Sequence, residues 1–348
     1  MTLRLTLALQ SGDLVLPDDG AISVLLPTPD CDLGALPQSR VQVVQPFKPH
    51  HDFFQLAGYD CVTDTDTDTD TPCATALICL PRAKAQARAM VFDACTRASE
   101  LVIVDGNKTD GIDSIYKDVR RRVDILGQMT KAHGRIFWFM PDADTFADWQ
   151  APLTQKADGY QTAPGVFSAD GIDPASKALI AALPARLGRN VVDLGAGWGY
   201  LSAKVLANDP KIETLDLVEA DHVALNCARA NVTDPRARFH WGDALDWTAS
   251  GAVDTVIMNP PFHTGRTADP SLGRGFIATA ARILTSSGTL WMVANRHLPY
   301  EAAMDGLFTE IREVAGDTRF KVLRASRPKS GHKNRANATR VRRSRPNR

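Results

Sequence analysis

The sequence has no long apolar run, no paired-cysteine motif and no excess of either charge. No stretch reaches the roughly 18 consecutive apolar residues of a membrane-spanning helix, so we expect no membrane segment. The six cysteines include no Cys-x-x-Cys pair and the histidines show no metal-ligand spacing, which predicts reduced thiols and no metal site. With 44% hydrophobic residues among 348, these absences favour a globular, cytoplasmic protein of about two domains.

Charge is unevenly distributed along the chain. The 40 basic and 40 acidic side chains cancel, but residues 327–348 hold nine Lys and Arg and no acid. The remainder of the chain is therefore acidic. We predict a basic, disordered tail over 327–348, which could add phosphate contacts or simply remain solvated.

The first half of the chain, residues 1–155, alternates strand-like and helix-like segments, as is typical of a parallel α/β sheet. Buried strands are predicted at 76–80, 101–104 and 135–140. The alternating apolar and polar residues of 1–10 predict a further strand. No glycine-rich turn follows these strands, and Asp105 is interpreted as a loop aspartate, so we expect no cofactor site in this half.

A polar stretch with several Pro and Gly residues places a domain boundary near 150–165. Asp173 and Pro174 follow it and predict the start of a helix. A carboxylate can cap the free N–H groups of a helix end, and proline is favoured at the first helical position.

The most informative turn reads Asp193-Leu194-Gly195-Ala196-Gly197-Trp198-Gly199 and follows a short buried strand. Alternate glycines let the backbone approach a ligand closely, and the helix behind them offers free N–H groups. The spacing differs from the Gly-x-Gly-x-x-Gly that binds a pyrophosphate. The Asp193 carboxylate would repel a pyrophosphate and attract an ammonium group.

Acidic residues follow the next two predicted strands. Glu219 lies at the tip of the strand 214–218, where a carboxylate can accept from both hydroxyls of a ribose. Asp221 is a weaker candidate for that role. Asp243 follows a third strand and could accept from an adenine amino group, while Ala244 could offer its backbone N–H to the ring.

The fourth strand, 254–258, runs directly into Asn259-Pro260-Pro261-Phe262. The two prolines remove two backbone donors and fix φ at each position. They leave the side-chain oxygen of Asn259 and a neighbouring carbonyl as acceptors, beside the flat face of Phe262. This arrangement suits a planar substrate with an NH₂ group.

Together these segments resemble a known family. The turn with Asp193 is similar to motif I of the class I S-adenosylmethionine-dependent methyltransferases, and the tetrad at Asn259 resembles motif IV of those that modify amino nitrogens. With Gly165-Val166-Phe167-Ser168 and Leu298-Pro299-Tyr300, the pattern resembles the ribosomal RNA guanine-N2 methyltransferases. The resemblance implies two tandem Rossmann-like domains, a degenerate one over 1–155 and a catalytic one over 156–326. It implies a seven-stranded, mostly parallel sheet in the second.

The resemblance also implies a reaction. S-adenosylmethionine would bind with its methionine end at Gly195, Ala196, Gly197 and Gly199, and its methyl group would pass to N2 of a guanine in ribosomal RNA. We expect 16S rather than 23S RNA, free or in the small subunit, and a monomeric enzyme. Methylation of adenine N6 or of a protein glutamine amide is an alternative. A catalytically inactive RNA-binding factor is the second alternative.

Overall fold

The chain folds into two units, each built on its own seven-stranded sheet. A computed structural model describes residues 3–64, 72–151, 155–261, 263–264, 267–268 and 270–329. The N-terminal unit comprises residues 1–155 and 163–165, and the C-terminal unit comprises 156–162 and 166–348. Within the described ranges no helix is long and apolar enough to cross a membrane. The predicted class, tandem Rossmann-like α/β domains, is confirmed.

The N-terminal unit has four α-helices and seven strands among its described residues. The helices are α1 (Leu3–Gln10), α2 (Lys48–Leu56), α3 (Lys84–Arg97) and α4 (Ile112–Val119). The strands are β1 (Ile22–Leu25), β2 (Val41–Val44), β3 (Asp60–Val62), β4 (Cys73–Cys79), β5 (Ala98–Asn107), β6 (Gly127–Lys131) and β7 (Gly134–Phe139). They lie in the order β3-β2-β1-β4-β5-β7-β6. The first five in this order are parallel, as predicted, whereas β7 pairs antiparallel with β5 and β6, so the sheet is mixed at one edge.

The C-terminal unit repeats this order, and six of its seven main strands are longer than their counterparts. Two short strands, β8 (Gln155–Ala157) and β9 (Tyr160–Thr162), form a small separate sheet near the boundary. The main strands are β10 (Asn190–Leu194), β11 (Thr214–Glu219), β12 (Ala237–Trp241), β13 (Val253–Met258), β16 (Leu284–Asn295), β17 (Phe308–Gly316) and β18 (Phe320–Pro328). Two-residue strands β14 (His263–Thr264) and β15 (Thr267–Ala268) pair antiparallel. The helices are α5 (Pro174–Ala182), α6 (Tyr200–Asn208), α7 (His222–Asn231), α8 (Pro270–Ile283) and α9 (Tyr300–Asp305).

The large sheet of the C-terminal unit is buried on both faces. Its order is β12-β11-β10-β13-β16-β18-β17, and the predicted mostly parallel, seven-stranded sheet is confirmed. One face packs on α8 and α9, and the other packs on α5, α6 and α7. Strands covered on both faces read as continuous apolar runs, which is why β10 and β13 could be located from sequence.

The N-terminal segment corrects the sequence analysis. Residues 3–10 form helix α1 rather than a strand, and Arg4, Leu5 and Ala8 are its buried residues. Eight residues are too few to separate a period of two from one of 3.6. Arg4 Nε donates to Asp105 Oδ1 at 2.6 Å, and both residues are at most 5% exposed. Asp105 is therefore not a loop aspartate but half of a buried ion pair inside β5.

The strand order reverses between β10 and β13, which are adjacent in the sheet but distant in sequence. In open α/β sheets, ligands bind at such a reversal, outside the carboxyl ends of the strands. The residues that follow β10, β11, β12 and β13 are therefore the ones to inspect for chemistry.

Candidate functional site

The three glycines after β10 serve different physical purposes. Gly195, Gly197 and Gly199 have φ of +79°, +55° and +89°, a region that residues with a Cβ rarely adopt. A Cβ on Gly199 would lie 2.9 Å from Val232, so this glycine allows close packing on α7. A Cβ on Gly197 would meet nothing within 4 Å. The turn therefore leaves its central backbone open to a ligand.

Asp193, the last residue but one of β10, is fully buried. Ser202 Oγ donates to its Oδ2 at 2.7 Å, while its Oδ1 has no hydrogen-bond partner among the described residues. Removal from water raises the pKa of Asp193 to about 7, against the opposing hydrogen bond from Ser202. A buried carboxylate oxygen without a partner costs about 1–3 kcal/mol, so a ligand that donates a hydrogen bond to it would be favoured.

Glu219, at the end of β11, is bonded to the glycine turn itself. Its Oε2 accepts from the Gly197 N–H at 2.7 Å, and its Oε1 accepts from the Asp221 N–H at 2.8 Å. Burial raises the pKa of Glu219 to about 7, although both N–H groups favour the ionised form. Because a carboxylate has about four acceptor positions, Glu219 retains capacity for a ligand.

The remaining predicted cofactor residues lie after the neighbouring strands. Asp221 is the N-cap of α7, where its Oδ1 accepts from the Val223 N–H at 2.9 Å. Asp243 Oδ1 accepts from the Leu245 N–H at 2.9 Å, and Ala244 is buried. The turn before them is tied to β11, because the Gly242 N–H donates to the Glu219 carbonyl at 3.0 Å. The structure thus brings these residues to the same edge as the glycine turn.

Asn259 follows β13 and lies beside the glycine turn. Its Nδ2 donates to Asp173 Oδ2 and to Ser176 Oγ, in both cases at 2.9 Å. Asp173 caps α5 as predicted, accepting from the Ser176 N–H at 2.8 Å. Its second contact, to an amide 86 residues away, was missed because no local sequence signal predicts it. Pro260 is buried and Pro261 exposed, while Phe262 lies outside the described residues.

A pocket of about 40 Å³ opens between the glycine turn and Asn259. Its wall includes Phe167 and Ser168 from the segment before α5. Trp198 Nε1 donates to the Phe167 carbonyl at 2.9 Å and fixes this segment, while the Phe167 side chain is 59% exposed. The sequence analysis included Phe167 in a family pattern but gave it no place at the site.

A larger cavity of about 550 Å³ lies in the N-terminal unit, at the amino ends of β1 and β2. Arg40, one of the two arginines that line it, already donates to the backbone carbonyls of Pro17 and Gly20 at 2.9 and 2.6 Å. This is also the opposite edge from the one at which α/β sheets bind ligands. We therefore place the chemistry in the C-terminal unit.

Comparison with known proteins agrees with this geometry. A family model described as "Methyltransferase small domain" matches residues 159–324. Ribosomal RNA small subunit methyltransferase C of Hahella chejuensis is 32% identical over 250 residues, which cover 69% of this chain and 72% of that protein. The chain belongs to this family of ribosomal RNA methyltransferases. The resemblance inferred from the sequence is thus confirmed.

Two further matches differ in their extent. Ribosomal RNA large subunit methyltransferase G of Aeromonas salmonicida is 36% identical over 166 residues, which cover 46% of this chain and only 44% of that protein. A solved structure, the T. thermophilus 16S rRNA N2 G1207 methyltransferase in complex with AdoMet and guanosine, covers 90% of each chain with a TM-score of 0.73. At 20% identity this match supports the tandem fold alone.

Proposed function

We propose that this protein transfers the methyl group of S-adenosylmethionine to the exocyclic N2 amine of a guanine in ribosomal RNA. The observation that carries the proposal is the Asn259 carboxamide. Its NH₂ is held by Asp173 and Ser176, so its oxygen is the group left to face a substrate. It lies beside a glycine turn whose neighbouring buried acid has an unsatisfied oxygen.

The residues around the turn fit the cofactor. Asp193 Oδ1 would accept from its ammonium group, and Glu219 would accept from the ribose hydroxyls. Gly195, Ala196, Gly197 and Gly199 would pass close to its methionine end, while Asp243 and the Ala244 N–H would hold the adenine. When bound, S-adenosylmethionine supplies an electrophilic methyl group on sulfur.

Pro260 and Pro261, which follow β13, offer carbonyl acceptors and no backbone donors. Asn259 Oδ1 and the Pro260 carbonyl would accept from the target NH₂, and Phe262 would stack on the base. The target nitrogen gains positive charge as its bond to the methyl carbon forms, so acceptors positioned beforehand favour the transition state. The extra proton can leave to water. Pro260 and Pro261 fix the backbone, because the ring of each restricts φ.

We propose small-subunit RNA as the substrate and the cytoplasm as the site of action. The alignment to the small-subunit methyltransferase is longer than the C-terminal unit, so it extends into the N-terminal unit. We propose that residues 1–155 form a degenerate domain without a cofactor site and that 156–326 form the catalytic domain. The basic tail, 327–348, would be disordered. Residues 330–348 of it lie outside the described part of the chain.

The test is transfer of a labelled methyl group to ribosomal RNA from a strain lacking this protein, followed by nucleoside analysis. The proposal predicts label in N2-methylguanosine of 16S RNA, with wild-type RNA as the unlabelled control. Label in N6-methyladenosine, or in a protein glutamine, would support the corresponding alternative and contradict the proposal. Size-exclusion chromatography of the active protein should show a monomer.

A further inference from the structure

Two side chains upstream of the glycine turn hold the Asn259 carboxamide in one orientation. Its Nδ2 lies 2.9 Å from Asp173 Oδ2 and 2.9 Å from Ser176 Oγ. A carboxylate can only accept, so the NH₂ and not the oxygen must face Asp173. Both amide hydrogens therefore have partners, and Oδ1 lies on the other side of the amide group.

The two partners are themselves held in place. Asp173 is the N-cap of α5, where its Oδ2 accepts from the Ser176 N–H at 2.8 Å, and Pro174 begins the helix. Ser176 is only 7% exposed. A single carboxylate oxygen thus receives two hydrogen bonds, one from the helix end and one from Asn259. The orientation of the amide is linked to a rigid element rather than to a loop.

We propose that Asp173 and Ser176 are positioning residues that keep Asn259 as a hydrogen-bond acceptor toward the amino group of the substrate. This inference rests on the proposed function. Without these partners the carboxamide could rotate by half a turn and direct its NH₂ at the substrate NH₂, so that donor would face donor. The negative charge of Asp173 also polarises the amide and makes Oδ1 a stronger acceptor.

This arrangement defines which edge of a base the site accepts. With Asn259 held in this way, its Oδ1 and the Pro260 carbonyl are acceptors, and neither Pro260 nor Pro261 supplies a backbone donor. An exocyclic amine can donate to such an edge, whereas a carbonyl oxygen would meet only acceptors. Asp173 and Ser176 thereby contribute to the choice of an amino group over a carbonyl, although neither needs to touch the substrate.

The test uses two substitutions that preserve the helix cap. Ser176→Ala removes one acceptor and leaves the backbone N–H that Asp173 caps. Asp173→Ser keeps a good N-cap residue but removes the carboxylate that reaches Asn259. We expect kcat for methyl transfer to fall about fivefold for Ser176→Ala and about 10- to 100-fold for Asp173→Ser, from the usual worth of neutral and charged hydrogen bonds. The Kd for S-adenosylhomocysteine should change less than about twofold.

A matched control is Ser326→Ala. Ser326 is a buried serine of β18 that donates to Glu310. Through Thr289 of β16 it aligns with Thr255, which lies four residues before Asn259. Loss of the Ser326 hydroxyl should leave kcat unchanged. In an Asn259→Ala background, Ser176→Ala should have no further effect, because residues that act as one unit are not additive. The same loss in both backgrounds would overturn the inference.

Nuclear magnetic resonance gives a readout that does not depend on activity. The side-chain NH₂ signals of Asn259, identified by their disappearance in Asn259→Ala, should shift in Ser176→Ala and in Asp173→Ser. Unmoved signals would contradict the positioning role. If the wild-type protein methylates no RNA, the proposed function fails on its own. Shifted signals would still support the hydrogen bonds from the Asn259 amide to Asp173 and Ser176.

Discussion

The two units share one frame and differ at the carboxyl ends of their strands. Both sheets have the same strand order, and the first residue after the central strand makes the same bond in each. Leu26 donates its N–H to the Val44 carbonyl at 2.9 Å, and Gly195 donates to the Val218 carbonyl at 2.9 Å. Both have positive φ, +55° and +79°. Both sheets therefore place a residue with left-handed backbone directly after the central strand, and in the N-terminal unit that residue is not a glycine.

The next strand end shows how the difference arises. Gln45 and Glu219 occupy the same register, and each accepts from the N–H two residues further on. Gln45 Nε2 then donates to the Pro27 carbonyl at 2.7 Å, whereas Glu219 Oε2 accepts from the Gly197 N–H. In the N-terminal unit the turn is therefore bonded to a neutral amide through a proline carbonyl. In the C-terminal unit it is bonded to a carboxylate through a glycine N–H.

Two further positions complete the contrast. By strand register, Val24 corresponds to Asp193 and Cys79 corresponds to Asn259. Val24 and Asp193 are both fully buried, so a strand in this place in the sheet can carry an apolar side chain at this position. Asp193 uses one carboxylate oxygen to accept from Ser202, and its other oxygen has no partner among the described residues. That oxygen is the acceptor we propose for the ammonium group of the cofactor.

The largest effect is expected for Asn259→Ala, which removes the amide group of Asn259. The corresponding residue of the N-terminal unit, Cys79, has no amide group either. Loss of the positioned acceptor should lower kcat about 100-fold or more, with little change in the Kd for S-adenosylhomocysteine. Single-turnover methyl transfer and calorimetry measure the two quantities, and Cys79→Ala is the control. A fall in cofactor affinity with normal turnover per bound cofactor would refute this role.

A smaller effect is expected for Asp193→Asn. Replacing the carboxylate by an amide removes a charged hydrogen bond to the ammonium group, which is worth about 10- to 100-fold in Kd. Isothermal titration with S-adenosylhomocysteine checks this. Turnover at saturating cofactor should fall much less than the affinity does. Equal affinities for the variant and the wild-type protein would remove Asp193 from the binding site.

The mildest effect is a pH dependence of cofactor affinity, which arises from two carboxyl groups of the C-terminal unit. Burial raises the pKa of Asp193 and of Glu219 to about 7, above the values near 4 of an unfolded chain. Without ligand, their contribution to stability is complete below about pH 4 and is lost as the pH rises through about 7. Affinity for the cofactor should change in the opposite sense, rising below pH 7 by up to about tenfold per pH unit for each carboxyl group that must lose its proton.

Calorimetric titrations between pH 6 and 8 measure this dependence. In Asp193→Asn the cofactor affinity should rise less steeply with pH than in the wild-type protein, because one of the two carboxyl groups with a pKa near 7 is gone. Identical slopes would mean that the pH dependence arises elsewhere in the chain.

Sequence patterns located the parts of the fold that carry strong local signals. The apolar runs of β10 and β13, and the cap at Asp173, could be predicted because burial on both faces and helix-end chemistry leave marks in consecutive residues. Strands β1, β2 and β3 were not predicted, since each has only three or four residues. Helix α1 was misassigned for the same reason of length.

The candidate site was predictable as a set of residues but not as a set of contacts. The positions of Asp193, Glu219 and Asn259 at one sheet edge follow from strand order. Two hydrogen bonds depend on tertiary packing between segments 22 and 86 residues apart. They are the bond that the Gly197 N–H donates to Glu219 and the bond that the Asn259 amide donates to Asp173. No single-sequence pattern encodes such pairs.

The most direct test is a crystal structure of the protein with S-adenosylhomocysteine. The account predicts one molecule per chain, in the C-terminal unit, with its ammonium group within hydrogen-bond distance of Asp193 Oδ1 and its sulfur facing Asn259. A crevice closed by the protein's own side chains at saturating ligand, or a molecule bound at Gln45 in the N-terminal unit, would contradict it.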